Sequence, residues 1–151
     1  MTDQSARIHI AASDPAFPAK REAAVAMICA AITAVTTPFG YAQTGTNWAR
    51  ATQAGRSVIN LHRNRYGWDC HINLRFLTAD GDYPANSAWT QGDDIRLDRF
   101  YLPNEGHGTD NGVLTYLDLH DDPATLAFPM KVLRDRALPW LDAHHGGLPD
   151  I

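Results

Sequence analysis

The sequence has little cysteine: two residues, Cys29 and Cys70, in a chain of 151. Each lies among apolar neighbours, and no C-x-x-C pair is present. A secreted scaffold held by several disulfides is therefore excluded. Because a free cysteine usually packs as a small apolar side chain, we expect two buried, reduced thiols in a cytoplasmic protein.

The sequence also lacks an excess of positive charge. Lysine and arginine total 13 against 17 acidic residues, which gives a formal net charge of -4. The arginines alternate with acids, as they do from Asp94 to Arg99. A general nucleic-acid binder carries a basic stripe or patch instead, so we expect no nucleic-acid partner.

No apolar run is long enough to cross a bilayer. The longest, from Ala23 to Val35, follows Lys20 and Arg21 and resembles the apolar part of a signal peptide. A membrane-spanning helix needs about 20 apolar residues. We expect this run to be a buried helix and the protein to have no membrane partner.

The remaining patterns predict one α+β domain over residues 1–151. An N-terminal helix packs on an antiparallel sheet of about five strands, and a proline-broken helical segment follows. From Cys70 to Phe76 apolar and polar residues alternate strictly, which is typical of a strand with one buried face. The predicted parts are an edge strand or tail at 1–14, a helix at 19–35, a sheet region at 47–119 and a helical segment at 123–145.

Within the sheet region we predict strands at 48–53, 57–65, 69–77, 93–102 and 113–119. Long polar loops are predicted at 78–92 and 103–112, where Gly, Asp and Asn are frequent. Asp122 and Pro123 have the types that begin a helix, and Pro129 and Pro139 are expected to break that helix into pieces.

Several segments between residues 23 and 143 follow one another in the order of a known bacterial family. They are the first helix, Phe39-Gly40-Tyr41, Trp48-Ala49-Arg50, Val58-Ile59-Asn60-Leu61-His62-Arg63, Cys70 to Phe76 and Leu138-Pro139-Trp140-Leu141. Together they resemble the bacterial domain of unknown function 4304 family, and the stretch before the fourth strand, with Trp89 and 93–98, matches only in part. The resemblance implies no established activity or catalytic residue, and it implies an immunity or partner-binding role.

Polar side chains on two neighbouring predicted strands form the first candidate site. Because neighbouring antiparallel strands bring opposite side chains to about 5 Å, these groups are expected to share one face. Together they have the chemistry to recognise an anionic group or a peptide. The alternative is that they are simply the solvated face of a half-buried sheet. They are Asn60, His62, His71, Asn73 and Arg75.

A second candidate is the loop at 103–112, which includes Glu105 and His107. Loops favour such residues for backbone reasons alone, so the alternative is an ordinary hairpin loop. The seven histidines show no H-E-x-x-H motif and no Cys/His spacing. We therefore predict neither a metal site nor a cofactor, and no G-x-S-x-G motif indicates a nucleophile.

The absence of catalytic motifs favours a non-enzymatic protein-binding or inhibitory domain, similar to an immunity protein. It would use the polar sheet face and the 103–112 loop against a protein partner. One alternative is a small enzyme with His62 and His71 as acid and base; another is a structural domain without a ligand. The sequence leaves the oligomeric state open.

Overall fold

A computed structural model describes residues 13–52, 55–63, 69–78, 95–102 and 114–143. The first helix, α1, spans Phe17–Thr36, close to the predicted 19–35. A carboxylate oxygen of Asp14 accepts the backbone N–H of Ala16 at 2.8 Å, and Pro18 lies in the first turn, where its missing N–H costs nothing. The predicted edge strand or tail falls almost wholly on residues 1–12, outside the described residues.

The end of α1 follows the sequence closely. A 3-10 helix covers Thr37–Phe39, and Gly40 then adopts a left-handed backbone with φ of 89°. Glycine favours that conformation because it has no Cβ to clash. The predicted stop at residues 36–38 is thus confirmed, and the chain turns directly into the sheet.

The sheet is antiparallel throughout and confirms the α+β class. Its strand order is β1-β2-β3-β4-β5, and β6 pairs with β4 beyond one end of β5. The strands are β1 Ala42–Thr44, β2 Asn47–Thr52, β3 Gly55–Arg63, β4 Asp69–Thr78, β5 Ile95–Arg96 and β6 Leu114–Thr115.

Two predicted strands are much shorter than expected. The strand predicted at 93–102 is only Ile95–Arg96, followed by a 3-10 helix at Leu97–Phe100. Leu97 and Phe100 are both buried, and a spacing of three residues brings side chains to one side of a 3-10 turn. A strand would place Leu97 and Phe100 on opposite faces, whereas the 3-10 helix buries both side chains.

The strand predicted at 113–119 is wrong for a similar reason. Only Leu114–Thr115 pairs in the sheet, and α2 spans Tyr116–Asp121. Tyr116 and Leu119 are both buried, three residues apart on one side of a helix.

The C-terminal segment is helical without the predicted breaks. Asp122 caps a 3-10 helix at Pro123–Leu126, and its carboxylate accepts the N–H of Ala124 at 3.2 Å. Helical backbone then runs through α3 (Ala127–Val132), a π-helical turn (Leu133–Ala137) and α4 (Leu138–Ala143).

The two prolines fit this helix because of where they lie. Pro129 is in the first turn of α3, where proline is tolerated. Pro139 follows the π turn, in which the N–H of Leu138 reaches back five residues to Leu133. A π turn is wider than an α turn, and we attribute the accommodation of the Pro139 ring to it.

The core lies between α1, one face of the sheet and the C-terminal helices. All four predicted core residues of β4 are confirmed, and they belong to one apolar cluster with the other elements. The main members are Ala24, Val25, Ile28 and Ile32 of α1; Ile59, Leu61, Cys70, Ile72, Leu74 and Phe76 of the sheet; and Val132, Leu133, Ala137, Leu138 and Leu141 near the C-terminus.

Helix α1 is buried along one face only, which corrects the expectation of a buried helix. Ala23, Ala26, Ala30 and Ala34 are exposed. The stretch Phe17–Phe39 is long and apolar enough to cross a membrane, which corrects the expectation drawn from the shorter Ala23–Val35 run, and 28% of its most apolar part is buried inside the fold. The core helix of a soluble protein and a signal sequence also reach this length and composition, so the cytoplasmic location stays a prediction.

Two polar anchors fasten the sheet to the helices. The buried indole of Trp48 donates to the hydroxyl of Thr33 on α1 at 2.9 Å, and that hydroxyl donates to the side-chain oxygen of Gln43 at 2.9 Å. Arg50 donates to the carbonyl of Phe39 at 3.0 Å and forms an ion pair with Asp142 of α4. These contacts tie β1 and β2 to the first and last helices.

Candidate functional site

The predicted polar face forms on β3 and β4, on the side of the sheet away from α1. The register pairs Asn60 with Asn73 and His62 with His71. Arg75 is two residues beyond Asn73 on the same strand, and Val58 lies opposite it. Because alternate residues of a strand share a face, all five predicted residues lie on this outer face.

Sequence reasoning missed two further members of the outer face. The register places Asn47 beside Asn60 and Arg96 beside Asn73, so one row of polar residues crosses β2, β3, β4 and β5. The Asn60 amide donates to the Asn47 side-chain oxygen at 2.8 Å. Alternation within each strand sorts residues by face, but only the pairing of strands reveals this row.

Asn73 lies on the outer face but is only 7% exposed. Its short side chain stands between Asn60 and Arg96 across the strands and between His71 and Arg75 along its own strand. Asn73 therefore offers little of its own surface to a partner, although it lies in the middle of the polar row.

His62 and His71 form the closest pair of functional groups on this face. Their ring centroids are 4.8 Å apart, and the ring planes are inclined by 39°. The His62 side chain is exposed and that of His71 is partly exposed. The sequence placed both histidines on one face of neighbouring strands, and the β3–β4 register adds that they lie directly opposite each other.

The outer face is cationic although the whole chain is acidic. Arg56, Arg75 and Arg96 lie on the described strands of this face, and Asp69 is the one acid there, 7% exposed. The Nε of Arg96 lies 3.3 Å from a carboxylate oxygen of Asp98. The described strands of this face thus carry more positive than negative side chains, which favours a negatively charged group.

The cysteine thiols and the Tyr116 hydroxyl have raised pKa values, whereas a reactive nucleophile usually has a lowered one. Burial raises the pKa of the Cys70 thiol to about 12, and burial also raises the pKa of Tyr116. Cys29 is free, as predicted, but only partly buried, and burial raises the pKa of its thiol too. Since the thiolate is the attacking form of cysteine, both thiols are poor nucleophiles near neutral pH.

The other candidates add little to the site. Glu105 and His107 lie in the predicted 103–112 loop, outside the described residues. The Nδ1 atom of His120 lies 3.5 Å from the Oδ1 atom of its neighbour Asp121, and both residues are exposed. Within the described ranges, no group of three or more His, Cys, Asp and Glu residues is arranged to hold a metal ion.

Comparisons with protein-family models, curated proteins and solved structures find no significant match to this chain. The resemblance to the domain of unknown function 4304 family therefore stays a prediction.

Proposed function

We propose that the protein is a non-enzymatic, inhibitory binding domain, similar to an immunity protein, that holds an acidic region of a protein partner against the outer face of its sheet. The observation that carries the proposal is the row of polar groups across β2 to β5, which ends at Arg96, with the histidine pair and two more arginines beside it. Stability alone does not require these groups to share one face.

The chemistry of the face favours recognition of carboxylates. An arginine guanidinium presents a planar fork that binds a carboxylate through two parallel hydrogen bonds. Arg56 is exposed and Arg75 partly exposed on neighbouring strands, so an acidic loop or helix is able to meet both. Nucleic acid is not the partner we propose, because acids outnumber bases in the chain, 17 to 13, and the arginines form no basic stripe along the sequence.

The internal chemistry supports binding rather than catalysis. Nucleophilic catalysis needs a group that is activated by a nearby base or by a lowered pKa. Burial instead raises the pKa values of the Cys29 and Cys70 thiols. The outer face also carries its polar groups on two strands joined by nine antiparallel register pairs, and binding groups on strands are placed more precisely than groups on loops.

Site-specific photo-crosslinking in the native host tests the proposal. A photoreactive amino acid replaces Arg56 on the outer face in one variant and Arg134 on the C-terminal helical segment in a matched control; both arginines are exposed. We expect one discrete protein adduct from position 56 and none from position 134. An adduct at 134 alone, equal adducts at both positions, or none at either would contradict the proposal.

A further inference from the structure

The histidine pair on the outer face has a geometry that suits a metal ion. His62 on β3 and His71 on β4 lie directly opposite each other, with ring centroids 4.8 Å apart. Their strands are joined by nine register pairs, from Gly55 with Thr78 to Arg63 with Cys70, so the two backbones hold a fixed spacing. Two imidazoles are thus presented side by side at an accessible surface.

The distance between the two ring centroids is the one expected when both imidazoles bind the same metal ion. An imidazole nitrogen binds a divalent transition-metal ion at about 2.0–2.1 Å, so two rings on one ion at adjacent positions have centroids roughly 4.5–5 Å apart. The observed spacing of 4.8 Å falls in this range. Each ring needs only one nitrogen to bind the ion, and histidine ligands usually donate the other ring N–H to a hydrogen bond.

We propose that His62 and His71 form a two-imidazole binding site for a divalent transition-metal ion, with Cu²⁺ bound most tightly. Imidazole suits copper, nickel and zinc, and the general order of affinities places Cu²⁺ above Ni²⁺ and Zn²⁺. Water completes the coordination sphere in the isolated protein. Metal binding at this pair does not depend on the proposed protein partner.

The site differs from the kinds of metal site that the sequence argues against. Structural zinc sites use four protein ligands and hold a fold together, whereas the described residues offer no group of three or more ligands here. The bound ion is therefore exchangeable and leaves the fold intact when it is removed. Local spacing motifs miss this site, because its two ligands meet only through the pairing of β3 with β4.

Calorimetric titration of the full chain with Cu²⁺ alone, in a buffer that does not bind metal, tests the proposal. His62→Ala and His71→Ala are compared with the parent and with two controls, His120→Ala and the double variant His144→Ala/His145→Ala. Removal of either histidine is expected to lower the affinity of the tightest Cu²⁺ site by roughly 100-fold. Once one imidazole has bound the ion, the other is held close to it at a high effective concentration, and the variants lose this advantage. The controls are expected to leave that site unchanged.

Electron paramagnetic resonance of the Cu²⁺-loaded protein gives a second readout. The parent is expected to show hyperfine coupling to two imidazole nitrogens, and either single variant to one. His62→Gln checks that any loss reflects the ligand rather than the fold, since its unfolding midpoint should match that of the parent. An unchanged tightest site in His62→Ala and His71→Ala, or its loss in a control variant, would overturn the proposal.

Discussion

The two faces of the β3–β4 hairpin contrast sharply. On the inner face Ile59, Leu61, Ile72 and Leu74 are almost fully buried against the helices. On the outer face the same strands carry amides, imidazoles and guanidinium groups, most of them in contact with solvent. Burial of apolar area is the dominant stabilising contribution to folding, so we attribute the stability of these strands mainly to the inner face.

The largest effect is expected from the inner face. Leu74→Ala removes a fully buried side chain and should cost about 2–5 kcal/mol of unfolding free energy, from lost apolar burial and the cavity left behind. Urea denaturation followed by circular dichroism measures this change. His62→Ala on the outer face of the paired strand is the control and should stay within about 0.5 kcal/mol of the parent. Similar losses in both variants would remove the contrast between the faces.

A smaller loss is expected at the polar anchor between β2 and the last helix. Arg50→Ala breaks the bond to the Phe39 carbonyl and the ion pair with Asp142, and it should cost roughly 1.5–3 kcal/mol. Arg134→Ala is the control, because its exposed pairing with Asp135 is worth at most about 1 kcal/mol. An Arg50 variant as stable as the control would show that this anchor contributes nothing.

The next effect concerns the attachment of α1 to the sheet. Thr33→Val keeps the shape of the side chain but removes the acceptor of the Trp48 indole N–H, and it should cost about 1 kcal/mol. Thr37→Val removes an exposed hydroxyl that bonds only within the end of α1, so it should change stability less. Thermal unfolding of both variants compares them; a larger loss in Thr37→Val would contradict the role of the Trp48 contact.

The smallest effect is expected outside both faces, at the start of α1. The Lys20 hydrogen bond, aided by the Ala16 N–H, lowers the pKa of Asp14 below its ordinary value of 3.8. A lowered carboxyl pKa contributes stability that is present above the unfolded-state pKa and is lost as the pH falls through the folded-state pKa. In an NMR titration Lys20→Met should raise the Asp14 midpoint toward its ordinary value. An unchanged midpoint would show that the pair does not form in solution.

The buried residues of the inner face were predictable because the pattern that identifies them lies within a single strand. Alternation from Cys70 to Phe76 identifies the buried side chains without knowledge of any partner strand. The limits of α1 were predictable for the same reason, since Pro18 and Pro38 restrict the backbone near each end. The spacing of apolar residues gave the wrong secondary structure where it is compatible with both a strand and a helical turn. These places are Leu97 to Phe100 and Tyr116 to Leu119.

The outer face was predictable only in part because its arrangement is not local. The five polar residues followed from alternation, but the contact of His62 with His71 and the row from Asn47 to Arg96 depend on the register of several strands. Register is fixed by turns and by the packing of the opposite face, which no single strand encodes. The burial of Asn73 also reflects its neighbours rather than its own residue type.

The double variant His71→Ala/Arg75→Ala tests the central claim most directly. Its affinity for the protein captured by the Arg56 cross-link and its unfolding free energy are measured beside those of the parent. Because central contacts of an interface often contribute about 2 kcal/mol or more, binding should weaken by at least tenfold. Unfolding should change by no more than about 1 kcal/mol, as for two surface substitutions. A variant that binds as tightly as the parent, or one that loses binding only because it unfolds, would contradict the assignment of recognition to the outer face.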